Sequence, residues 1–273
     1  MADTSSMHMP HLRFNLHHLS LVCCLLLLVG IRFYHWPWYL PVLLIVLLVL
    51  LVTDGITRPA SSLFYPTVSH GPRSGKRVAL TFDDGPDPAV TPRVLDVLAR
   101  HGAHATFFVI GQSLAKHPEI GRRMAAEGHV IGNHSWRHSR WQNFFTAARH
   151  GIEIDRGEAA IAAVTGSEAP VLYRPPVGLK SGELGHAAWR RHLTLVAWSL
   201  HSRDTRSKDA KRVAERVLSK VRDGDIVLLH DGHDLPGRKR LLCVEALELI
   251  LEGLRARGFQ CVTVPELLGP PAA

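Results

Sequence analysis

The stretch RVALTFDDGP, residues 77–86, decides the architecture. Val78 through Phe82 is a short apolar run of the length and character of a buried strand, and two aspartates follow it at once. Runs of the same kind recur downstream at Ala105–Ile110, His129–Ile131, Val171–Tyr173, Leu193–Trp198, Ile226–Leu229 and Phe259–Val264. Helical signals separate them. Thr91-Pro92 reads as an N-cap followed by proline, with Val94, Leu95 and Leu98 as the apolar stripe. Pro118 opens a further helix that Gly128 can close, and Ala210, Val213, Ala214, Val217, Leu218 and Val221 keep the 3.6-residue period. Strands alternating with helices imply parallel pairing through right-handed crossovers. About seven such units predict an α/β fold of closed or nearly closed (β/α) barrel type, with an open doubly wound sheet as the alternative.

In either architecture chemistry belongs just past the C-terminal ends of the strands. The polar residues of interest fall there. Asp83 and Asp84 follow the first strand, His134 the third, Arg174 the fourth, Asp204 lies beyond the fifth, and His230 ends the sixth. A turn at Asp-Gly-Pro explains one carboxylate but not two. His134 and His138 are spaced to share one face of a helical turn, which suits a single metal. In a chain with 18 histidines that pair alone is weak, but a strand-end aspartate completes a two-His, one-carboxylate set. Such a metal polarises a carbonyl and acidifies water, although the same ligands suit Fe(II) oxygenases. Amide hydrolysis needs a base, a proton donor for the leaving amine and an oxyanion stabiliser. A second carboxylate, Asp83, and a strand-end imidazole, His230, are at hand; an oxygenase needs neither.

Outward toward the N-terminus the chain turns apolar. Leu19–Ile31 and Trp36–Val52 flank Arg32, and the whole is too long for one span. Residues 19–52 are expected to form a two-helix membrane hairpin with Trp36, Trp38 and Tyr39 at an interface; a single signal-anchor helix is the alternative. Around it the expected boundaries are a polar tail at 1–18, a linker at 53–75, a catalytic domain at 76–265 and a tail at 266–273. The basic residues Arg58, Arg73, Lys76 and Arg77 follow the second run. By the positive-inside rule they favour a cytoplasmic catalytic domain on a membrane of bacterial inner-membrane type, whereas a single anchor places it outside.

The formal charge of +8 fits an anionic membrane surface or an acidic substrate. Its basic residues do not interleave with aromatics as a single-strand stacking platform requires, so no nucleic-acid partner is expected. Cys243 and Cys261 read as core thiols rather than a disulfide.

The motifs together resemble the polysaccharide deacetylase family, the NodB-homology or family 4 carbohydrate esterases, from about Lys76 to Pro265. Five blocks keep the family's order: residues 81–86, His134 to His138, Arg174-Pro-Pro-Val-Gly178, Trp198 to Asp204, and Leu228-Leu-His230. The resemblance implies a distorted (β/α) barrel. It also implies one divalent metal, with zinc favoured and cobalt or manganese possible, on Asp84, His134 and His138. By position Asp83 becomes the general base, held ionised by Arg174, and His230 the general acid, oriented by Asp204. The metal and the backbone N–H of Val177 meet the oxyanion. The implied substrate is an N-acetylated (or otherwise acylated) amino sugar in a polysaccharide, oligosaccharide or glycolipid. Two departures stand out. Val177 replaces a frequent aromatic, and the usual Asp-x-x-Asp-Trp reads His201-Ser-Arg-Asp204-Thr205. The intact acid–base and metal set argues against a catalytically dead carbohydrate-binding homologue. The sugar, the metal and the oligomeric state are left open.

Overall fold

A computed structural model describes residues 25–32, 37, 39–166, 172–232 and 241–269. The chain divides into two compact units, Met1–Thr57 and Arg58–Ala273.

In the first unit the helix Tyr39–Thr57 is long and apolar enough to cross a membrane. Its Leu43, Ile45, Leu47 and Leu50 are all exposed. Residues 25–32 are helical as well. The expected polar tail, the start of the first apolar run and the turn of the hairpin lie outside the described residues.

The second unit is built on a sheet of nine strands among the described residues. They are β1 (Thr67–Val68), β2 (Arg77–Asp83), β3 (Thr106–Val109), β4 (Val130–Asn133), β5 (Leu172–Tyr173), β6 (Thr194–Val196), β7 (Leu200–His201), β8 (Ile226–His230) and β9 (Gln260–Val262). Their order is β1-β6-β5-β4-β3-β2-β8-β7, with β9 paired to β2 off this path. Every ladder is parallel. The result is a parallel half-barrel rather than a seven-fold ring. Each of the seven anticipated runs contains a strand, but the last, β9, pairs only with the start of β2, at Arg77–Ala79. Two further strands were not anticipated. The linker expected at 53–75 also needs correction: the Tyr39–Thr57 helix takes its first residues, and β1 near its end joins the sheet beside β6. At the other end the helix Val264–Leu268 carries the fold past Pro265.

Strand β2 shows how the layers arise. Alternate side chains point to opposite faces. Val78, Leu80 and Phe82 join the main apolar cluster with Val94 and Leu98 of helix Thr91–Arg100 and Leu247, Ile250 and Leu254 of helix Leu242–Ala256. On the other face Ala79 joins Val264 and Leu267, which plug the bottom, and Thr81 and Asp83 stand above them. Thr91 is not the expected N-cap. Val90 holds that position, and the Thr91 hydroxyl serves the site. Cys243 and Cys261 are free thiols on a helix and a strand, as expected.

Candidate active site

Strand register assembles the site. Asp83 lies opposite Phe108 on one side and His230 on the other, and Val109 lies opposite Asn133. The C-terminal ends of β8, β2, β3 and β4 are thus level, and the residue after each end faces a common space. Asp84, His134 and His138 offer ligand atoms that all lie within 4.8 Å of one another. His138 Nε2 is 3.2 Å from Asp84 Oδ1, and His134 Nε2 is 3.5 Å from the same oxygen and 3.6 Å from Asp83 Oδ2.

The two histidines do not share a helical turn. Residues 134–138 form a loop with Ser135 at φ 70° and His138 at φ 51°, which folds the second imidazole back beside the first, ring centroids 4.9 Å apart. The neighbouring helix Ala147–Thr165 holds this loop. Asn133 Nδ2 donates to Ile154 O at 2.9 Å, while its Oδ1 accepts from Ser135 N at 2.8 Å. The buried Glu153 accepts from the backbone N–H and the guanidinium of Arg137. Ser135 Oγ then accepts from His138 N at 3.0 Å.

This arrangement fits a cation. His134 Nδ1 is 2.7 Å from the carbonyl of Arg174, an acceptor, so Nδ1 carries a proton and Nε2 is the ring atom turned inward. Nε2 faces carboxylate oxygens of Asp83 and Asp84, and imidazole nitrogens converging with a carboxylate on one point form a donor set that suits a divalent ion. Burial alone would raise the Asp84 pKa, but the hydrogen bond to His134 and the charges of His138, His134 and His230 hold it well below the usual carboxylate range.

Arg174 is fully buried and spends its guanidinium on four partners. Nη1 donates to Asp83 Oδ1 at 2.7 Å and Thr81 Oγ1 at 2.8 Å, Nε to Val196 O and Nη2 to Ala197 O. The guanidinium carbon also lies 4.0 Å above the Phe108 ring. On the far side, Asp204 Oδ1 is 2.9 Å from His230 Nδ1. Burial by itself would lower the His230 pKa. The charge and hydrogen bond of Asp204, backed by Asp84 and Asp83, overcome this and raise it to about 9. Val177 sits in the turn Pro176–Gly178 at φ 58°, costly for a β-branched residue, and its side chain is exposed.

Three further residues belong to the site. Asp231 is buried, accepts from Thr91 Oγ1 at 2.6 Å, and its Oδ1 has no hydrogen-bond partner among the described residues. Burial pushes its carboxyl up to about 7. It packs so closely on the turn after Asp84 that a Cβ on Gly85 would come within 2.4 Å of its Oδ2. The pair His230-Asp231 after a strand repeats the pattern of Asp83-Asp84, a signal present in the sequence. Thr81 is the second; its inward position on the strand was the available clue. The third is His201, whose ring lies 5.9 Å from that of His230. Its Nδ1 accepts from Arg203 N at 3.0 Å, leaving the proton on Nε2, and burial with the His230 charge lowers its pKa to about 4. A cleft beside the triad is lined by Asp84, Pro86, Asp87, Ser113, Lys116 and His117.

Comparison with known proteins agrees with this geometry. Residues 70–195 match the family model for polysaccharide deacetylases. A chitooligosaccharide deacetylase of Bradyrhizobium sp. is 38% identical over 214 residues, which cover 75% of this chain and 97% of that protein. A peptidoglycan-N-acetylglucosamine deacetylase of Bacillus cereus is 37% identical over 72% of this chain and 90% of its own length. Among solved structures, the Bc1960 peptidoglycan N-acetylglucosamine deacetylase superimposes with a TM-score of 0.69 at 33% identity, covering 74% of this chain and 92% of that one. This chain therefore belongs to the polysaccharide deacetylase family, the NodB-homology group of carbohydrate esterases, and is a carbohydrate deacetylase acting on carbon–nitrogen bonds.

Proposed function

We propose that the protein is a metal-dependent hydrolase that removes the N-acetyl group from an amino sugar of a saccharide presented near a membrane. The observation that carries this reading is the convergence of Asp84, His134 and His138 on one point, with Asp83 and the Asp204-bound His230 beside them. Asp84, His134 and His138 would hold one divalent ion; nitrogen with carboxylate favours zinc over magnesium. When bound, the ion supplies Lewis-acid polarisation of the acyl carbonyl and acidifies water.

The chain's own residues do the rest. Asp83 takes the proton of the attacking water through Oδ2, because Oδ1 is committed to Arg174. Arg174 pairs with that carboxylate, and its four fixed contacts leave it no other geometry. His230 delivers a proton to the leaving amine, with Asp204 fixing the ring so that Nε2 faces the substrate. The N–H of Val177 steadies the negative charge developing on the carbonyl oxygen, for which its turn sets the direction.

The names of the two relatives above give a chitooligosaccharide and the N-acetylglucosamine of peptidoglycan as substrates, and N-acetylglucosamine is the first choice here. The apolar helix Tyr39–Thr57 supports a membrane tether and, with it, a lipid-linked saccharide as a further substrate form. Acetate release from N-acetylglucosamine oligomers, measured before and after chelation and after adding back zinc, cobalt or manganese, tests the reading. Loss on chelation and recovery with metal are expected. Undiminished activity in metal-free protein overturns the metal assignment.

A further inference from the structure

Trp141 and Phe144 are 72% and 81% exposed, unusual for two large aromatic side chains side by side. Their rings are 6.1 Å apart and tilted by 41°. Both lie on the segment that leaves the metal loop at His138. It closes through Gln142 N to Ser139 O at 3.1 Å and then makes one 3-10 turn, Gln142–Phe144. On such a turn residues three apart eclipse one another. Trp141 and Phe144 therefore share the outer side, while Gln142 and Phe145 are both buried.

The inner side is anchored. Gln142 Nε2 donates to Pro176 O at 3.1 Å, so this segment is bound to the turn that carries Val177, itself 58% exposed. Phe145 is capped by Arg149, whose guanidinium lies 4.0 Å from the ring centroid. A rigid base under an exposed ring pair is how a protein presents aromatic area at low entropic cost. Two hydrogen-bonded segments, one carrying the metal ligand His138 and the other Val177, thus hold three exposed apolar side chains.

The geometry points to Trp141 and Phe144 as a stacking platform for a pyranose ring of the same saccharide, next to the acetylated sugar held at the metal triad. This rests on the deacetylase reading above. A pyranose ring offers one apolar C–H face and a rim of hydroxyls, so an exposed, neutral ring pair suits it. A bilayer would instead call for cations free to meet anionic headgroups. Here Arg137 is bound to Glu153 and Arg149 lies on Phe145, which leaves the exposed Arg140 as the cation beside Trp141.

The test uses the full chain in detergent and N-acetylglucosamine oligomers from one to five residues. The W141A/F144A double variant should raise KM for the pentamer about tenfold or more, at a monomer kcat/KM within about twofold of the parent, given the strength of aromatic stacking. W141F should keep most of the pentamer advantage. Loss shared equally by all lengths, or none at all, overturns the platform. Calorimetric binding of the pentamer, with and without the two substitutions in an H230A background, reads the platform independently of turnover. Protein that releases no acetate but still loses pentamer binding keeps the platform and sinks the deacetylase reading. In vesicles containing brominated phosphatidylcholine, quenching that disappears with W141F would assign the ring pair to the bilayer instead.

Discussion

Asp204 grips His230 at two points: Oδ2 accepts from the backbone N–H at 2.7 Å and Oδ1 meets Nδ1 at 2.9 Å. The side chain and the strand end are therefore set by one carboxylate. His230→Ala should retain metal and lose about 10²–10⁴-fold in kcat, the usual worth of a general acid. Asp204→Asn should lose less, because the amide can still take one of the two bonds. Metal analysis beside acetate release checks both, and metal lost with His230→Ala would mean that the residue is a ligand.

The same pair sets a pH dependence. The folded His230 pKa of about 9 lies above the unfolded value of about 6.5, so the bond to Asp204 stabilises the fold fully below about pH 6.5 and fades as pH rises through 9. Activity should fall on the alkaline side as the acid loses its proton. A bound dication pulls that limb below 9, and Asp204→Asn should move it lower still. Profiles of kcat/KM from pH 6 to 10 decide; an alkaline limb unmoved by Asp204→Asn would separate it from His230.

Arg174→Ala would leave Asp83 buried with its charge unanswered. Breaking a buried pair in this way costs about 3–5 kcal/mol, which urea unfolding should show beside near-total loss of activity. Arg174→Lys should recover part of the stability and little activity, since one ammonium cannot reach Asp83, Thr81, Val196 and Ala197 together.

Gly157 sits on the helix Ala147–Thr165, far along the chain from any ligand, yet a Cβ there would stand 2.4 Å from Asn133 Oδ1. That oxygen holds the backbone of Ser135, between the two histidines. Gly157→Ala should therefore weaken metal binding by about 10- to 100-fold, as loss of an outer support does elsewhere. Metal titration reads it, and an unchanged affinity would show that the loop keeps its shape without Asn133.

Membrane sidedness follows from the apolar N-terminal runs. If both span, a fluorescent protein fused after Pro59 or after Ala273 should fluoresce and alkaline phosphatase at the same points should be inactive. Active phosphatase at both places would put the catalytic unit outside, beside cell-wall polymers.

Most strands were legible because they are buried on both faces and so read as unbroken apolar runs, as in Val78–Phe82. Thr67–Val68 and Leu200–His201 are too short to show any period. Asp84, His134 and His138 were marked out by residue type and by their place after strands, and the structure brings the three together. Their local geometry was not legible: a spacing of four between His134 and His138 suits a helical turn and a doubled-back loop alike. The φ values of Ser135 and His138, 70° and 51°, belong to the loop. Asp231 had a local signal in its place after a strand, beside His230, but its partner Thr91 lies on another element and could not be read from the sequence.

The stretch from Thr194 to His201 lies beside β5 and β1 at its start and beside β8 at its end, with only Ala197, Trp198 and Ser199 between. It runs parallel to the strands and joins the β5 side of the sheet to the β8 side. Arg174 takes two of its carbonyls, at Val196 and Ala197, and Gly178 presses on Trp198. Adding or removing a residue here would throw one end out of register and drag the guanidinium from Asp83. Loops elsewhere can grow or shrink as relatives diverge; this segment can vary only by exchange of side chains.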